Sequence, residues 1–138
     1  MLSLSIIDVK DFMGKLLKTD TFDAFELHSF CLHNYAVFEI NKLPDEPVVL
    51  WAKLRPYAFE MVKGNKLPSY MKVVLARPKN EDTMFLNIVF DEGKITITSG
   101  MGQKVFSMDK SIYRSWNEYI IEFLQKKGIA FINQMEGN

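Results

Sequence analysis

The chain has 138 residues, 48% apolar and 25% charged, and its 17 basic and 17 acidic side chains cancel. That size and composition describe one folded domain spanning residues 1–138, not a disordered tract, and a core large enough to need no staple. Zero net charge excludes wholesale coating of nucleic acid but leaves room for a local patch.

Residues 2–7 read as a short strand. Asp8 follows as a helix cap, its carboxylate placed to accept a free N–H of the first turn. In the helix predicted over about 8–18, Val9, Phe12, Met13, Leu16 and Leu17 repeat at helical spacing, while Lys10, Asp11, Lys15 and Lys18 face outward. Phe22 and Phe25 are expected to dock on the core. Two extended runs, 26–32 and 35–40, turn at His33-Asn34. The breakers Pro44, Asp45, Glu46 and Pro47 mark a loop.

A second helix is predicted over about 48–63, burying Trp51, Leu54, Ala58, Met61 and Val62. Pro56 lacks an N–H, which implies a kink or a fresh helix starting there, and Gly64 is placed to end it. From Ser69 the apolar period becomes two. Residues 70–77, 83–90, 94–99 and 104–108 read as strands of an antiparallel meander, reversing at Asp91-Glu92-Gly93 and at Gly100-Met101-Gly102. Asp109 is the predicted cap of a third helix over about 110–127. Its stripe of Ile112, Trp116, Tyr119, Ile120, Phe123 and Leu124 has helical spacing, and Gly128 stops it. A last short strand is expected at 129–132. The order describes an α+β domain, about six to seven mainly antiparallel strands packed with three helices, and not a doubly wound nucleotide fold.

No membrane segment is expected. The uncharged run 27–38 is too short to cross a bilayer and contains His28, His33 and Asn34. MLSLSIIDVKD lacks a basic leader and meets Asp8 too early for a signal peptide. Cys31 is the single cysteine, so no intrachain disulfide can form, and a cytoplasmic location is the expectation.

Candidate chemistry is sparse. His28, Cys31 and His33 cluster, but strand alternation sends His28 to one face and the other two to the opposite one, short of the three or four ligands a zinc site uses. Cys31 needs a base to become a nucleophile, and a buried thiol acting as a small hydrophobe is the commoner state. Ser99 precedes Gly100-Met101-Gly102 in a strand–turn context, which is neither a nucleophile elbow nor a dinucleotide fingerprint. Asp45 with Glu60 and Lys63, or Asp91 with Glu92 and Lys94, only faintly echo metal-dependent hydrolases. No cofactor is implied, and the reading leans away from an enzyme.

Charge is more informative. Residues 51–79 hold seven bases, Lys53, Arg55, Lys63, Lys66, Lys72, Arg77 and Lys79, against Glu60 alone, a local net of +6. Residues 1–50 carry −4 and residues 80–138 carry −2. Arg55, Lys63, Lys66 and Lys72 are the expected binding residues if helix, turn and strand bring them together. Arg55 would present a planar fork and the lysines point charges to an anionic ligand or nucleic acid, with Tyr57 or Tyr70 available for stacking. The bland alternative pairs these bases with Asp20, Asp23, Asp45 or Glu46.

The stretches DVKDFMGKLLKTDTFDAF (8–25), WAKLRPYAFEMVKGNKLPSYMKVVL (51–75), LNIVFDEGKITITSG (86–100) and FSMDKSIYRSWNEYIIEFLQKKGIAF (106–131) resemble an uncharacterised bacterial family of short proteins, a domain of unknown function. The resemblance implies no activity, cofactor or catalytic residue. The expectation is therefore a non-catalytic cytosolic binding or interaction domain. An unrecognised enzyme, of the metal-dependent phosphodiester hydrolase kind, and a homo-oligomeric structural protein are the alternatives.

Overall fold

The computed structural model describes residues 2–63, 67–79, 81–102 and 110–134. Within them the order is β1 (Ser3–Ile6), α1 (Val9–Lys18), β2 (Glu26–His33), β3 (Val37–Asn41), α2 (Trp51–Val62), β4 (Tyr70–Lys79), β5 (Asp82–Asp91), β6 (Lys94–Gly102), α3 (Ser111–Lys126) and β7 (Phe131–Asn133). The seven strands form one antiparallel sheet in the order β3-β2-β4-β5-β6-β1-β7. This is the α+β domain the sequence predicts.

Local chemistry explains most boundaries. Asp8 caps α1 by accepting the Asp11 N–H at 3.0 Å, so the negative charge also sits at the positive end of the helix dipole. The β5–β6 hairpin turns at Glu92 (φ 50°) and Gly93 (φ 80°), between the paired residues Asp91 and Lys94. Two successive positive φ values are what a tight two-residue hairpin needs to match strand twist. Gly128 (φ 73°) ends α3.

Alternation gives the sheet two unlike faces. One carries Leu4, Phe30, Leu32, Met71, Val73, Leu75, Leu86, Ile88 and Ile97 in a single buried cluster with Phe12 and Leu16 of α1, Trp51 and Ala58 of α2, and Trp116, Ile120 and Leu124 of α3. All three helices thus cover one face. The other face presents Cys31, Lys72, Asn87, Val89, Thr96 and Thr98, with no helix over it among the described residues.

Four expectations need correction. α2 begins at Trp51, not near Val48, because residues 49–51 serve as backbone partners: Val49 accepts from the Leu27 N–H at 2.7 Å and the Trp51 N–H donates to Phe25 at 2.9 Å. α2 then continues through Pro56, so of the two outcomes expected there the fresh helix start is the one set aside. Gly100 and Gly102 are not a reversal; they extend β6, paired with Phe85 and Thr83. The Phe85 ring lies over both, so close that a Cβ on Gly102 would meet Phe85 Cε2 at 3.3 Å, and the ring supplies the cover the glycines lack. Finally, a bulge between Leu27 and Ser29 shifts the alternation of β2. It puts His28 against Phe85, ring centroids 5.0 Å apart, on the same face as Cys31 and His33. The predicted strand 104–108 and the roles given to Gly64 and Asp109 lie outside the described residues.

Candidate anion-binding pocket

The predicted basic cluster does not assemble among the described residues. Lys66 lies outside them. Arg55 turns inward from α2 and forks onto Asp23, Nε to Oδ1 and Nη2 to Oδ2, both at 2.8 Å. These bonds raise the Arg55 pKa above its ordinary value against the opposing effect of burial, and the charges of Asp23 and Asp20 add to the rise. With both side chains about four-fifths covered, the pair is a structural tie between α2 and the 20–25 turn. Lys63 reaches Glu60 at 3.1 Å, with both side chains more than half exposed, and its ammonium stands 5.8 Å from the Phe59 ring centroid. Lys72 projects from the uncovered sheet face, between Cys31 of β2 and Val89 of β5. That face carries Glu26, Glu39 and Asp91 beside Lys72 and Lys94, so among the described residues it has no positive excess. Tyr57 is exposed, and Tyr70 rests against His33 with ring centroids 5.0 Å apart.

Other sequence candidates are accounted for by packing. Ser99 is 2% exposed; its Oγ accepts the Leu2 N–H at 3.1 Å and meets the Tyr113 hydroxyl at 3.2 Å. It joins β6 to β1 and α3. Among the described residues, no group of three or more His, Cys, Asp and Glu side chains could hold a metal ion. No helix there is long and apolar enough to cross a membrane.

A different base from the same segment stands out. Arg77 is on the helix-covered face near the end of β4, opposite Met84 of β5. Its guanidinium carbon lies 4.8 Å from the Phe25 ring centroid and 5.0 Å from that of Tyr119. Contacts of this kind hold a cation by the ring quadrupole while using none of its N–H donors. Among the described residues the Arg77 guanidinium makes no hydrogen bond or ion pair.

The surroundings fix both rings. Phe25 is 1% exposed, and packs edge-on to Phe123 and Trp116 at centroid distances of 5.2 and 6.4 Å. Tyr119 stacks on Trp116 at 5.5 Å, and the Trp116 indole N–H donates to the Phe85 carbonyl at 2.9 Å, fastening α3 to β5. Arg77 therefore borders a cavity of about 200 Å³. Met84, Ile112 and Trp116 give it an apolar floor, and Lys79 and Ser115 are exposed at its rim. Of two other depressions, the one along α1 is lined by Lys15, bonded to Asp11 at 2.6 Å, and by Lys18, 6.0 Å from the Phe59 ring centroid, and the one along residues 46–53 by Lys53 and Glu46.

Arg77 is one of the seven bases of residues 51–79, and charge alone does not separate it from its neighbours. The available signal was its position: alternation from Val73 and Leu75 sends it inward, where a charge demands a partner.

Comparisons with curated proteins and with solved structures return no match. The profile of a family of unknown function, DUF5721, matches residues 15–83 and 76–132, which together run from the middle of α1 into β7. The chain therefore belongs to the DUF5721 family of unknown function.

Proposed function

We propose that this protein is a non-catalytic cytosolic binding domain that takes a small anionic ligand at the Arg77 cavity. The observation that carries this reading is a half-buried guanidinium set by two aromatic rings beside a cavity, with its hydrogen-bond donors unused by any described residue. Its cost is offset when an anion takes those donors, because charge-assisted bonds from arginine are among the stronger ones a protein makes. Lys79 at the rim adds a second positive charge. The wider excess of 51–79, Lys63, Lys66 and Lys72 included, raises the positive potential through which an anion approaches. The single cysteine suits a reducing cytosol.

Calorimetric titration of the protein with a panel of small organic and inorganic anions at low salt tests this. The expected result is saturable binding of at least one anion, weakened roughly 10- to 100-fold in Arg77→Met, the loss of one charged hydrogen-bonding group. Binding that survives Arg77→Met undiminished, or no binding across the panel, overturns the proposal.

A further inference from the structure

Resting on the reading that the Arg77 cavity binds an anion, we infer that its ligand is a small monocarboxylate carried on a compact apolar ring, the chemical class of an aromatic acid. Size sets the first limit. A cavity of about 200 Å³ is smaller than the roughly 300–1,000 Å³ of pockets for drug-sized molecules, and holds about the volume of six or seven waters. One ring with one acidic group matches that volume, and a nucleotide exceeds it.

Charge sets the second. Among the described residues Arg77 is the one cation that the cavity wall fixes in place, held by Phe25 and Tyr119. Lys79 is exposed at the rim, where water screens it. A single negative charge is matched by the guanidinium. A dianion placed against this wall keeps a second charge that no fixed group among the described residues answers, and that is costly away from water. The guanidinium is also planar, and its paired N–H groups match the two coplanar oxygens of a carboxylate. A tetrahedral phosphate would turn further oxygens toward Met84 and Ile112, which donate nothing.

The walls set the third. Met84 is 1% exposed and Trp116 5% exposed, and together with Ile112 they form a floor that rewards apolar area and rejects polar groups. The cavity is thus polar at the rim and apolar below. Its complement has an acid at one end and a ring at the other.

The test titrates the full chain, by calorimetry and amide chemical shifts, with benzoate, benzamide, acetate and phenyl phosphate. Benzoate is expected to bind saturably and to shift amides of residues 77–79, 84 and 112–119. Benzamide, which keeps the shape without the charge, is expected to bind at least about tenfold more weakly, as is acetate, which keeps the charge without the ring. Arg77→Lys keeps the charge and the fold but not the fork, and should weaken benzoate by about tenfold. Phenyl phosphate binding more tightly than benzoate overturns the carboxylate assignment while leaving an anion site in place. Acetate matching benzoate overturns the apolar ring. Benzamide matching benzoate, or no saturable binding of either benzoate or phenyl phosphate, removes the anion site itself.

Discussion

Arg55 and Arg77 belong to one basic segment and both reach the same short turn after α1, yet they meet opposite partners there. Arg55 finds Asp23 and spends two donors on it, whereas Arg77, two residues along the turn, finds the ring of Phe25. Both contacts keep the arginine charged and ordered. The carboxylate takes two of the guanidinium's five N–H donors, and the ring takes none. A base held by a carboxylate is therefore part of the scaffold, while a base held by rings beside a cavity is equipped to bind. Local charge excess does not distinguish the two.

The comparison breaks most severely at Phe25. Phe25→Ala removes a ring that touches Arg77, Phe22, Trp116 and Phe123, and chemical denaturation should report a loss of about 3–5 kcal/mol. Asp23→Ala should cost less, about 2 kcal/mol, by leaving the Arg55 fork unmatched. The sign of the arginine's pH dependence follows from its raised pKa. Its contribution is fully present below the ordinary arginine value and is lost only as pH rises through the raised one. Denaturation curves of Arg55→Met against wild type should thus stay parallel from neutral pH up to the arginine range.

Arg77→Met sharpens the contrast. The unbranched side chain keeps packing against the rings, so stability should change by less than about 1 kcal/mol, the scale of a cation–π contact, although the proposed anion binding should weaken roughly 10- to 100-fold. A loss as large as that of Asp23→Ala would make Arg77 a structural arginine too. The smallest effect belongs to Lys63→Ala. Its exposed pair with Glu60 should contribute no more than about 0.5 kcal/mol, and 0.5 M salt should erase the difference between the two melting curves.

Much of the scaffold is legible in sequence because its determinants are local. The Asp8 cap, the α3 stripe and the Asp91-Glu92-Gly93 turn are each specified within a few residues. What was not legible depends on distant neighbours. Nothing near Ser3 says that β1 will lie between β6 and β7, and nothing near Gly100 announces that Phe85 will cover it. One extra residue at His28 reverses a face assignment made by simple alternation. The site follows the same rule. Sequence locates the bases of 51–79, but the availability of Arg55 and of Arg77 is decided by whether an acid or an aromatic ring arrives from the turn at 20–25.

The two tryptophans fall on either side of that division. Trp51 is wholly enclosed, its indole N–H bound to the Leu16 carbonyl at 3.1 Å between α1 and α2, while Trp116 lines the cavity. The protein thus carries two native fluorophores with separate duties. In Trp51→Phe, emission from Trp116 should respond as the cavity fills; in Trp116→Phe, Trp51 should stay silent to ligand and report only the loss of the fold.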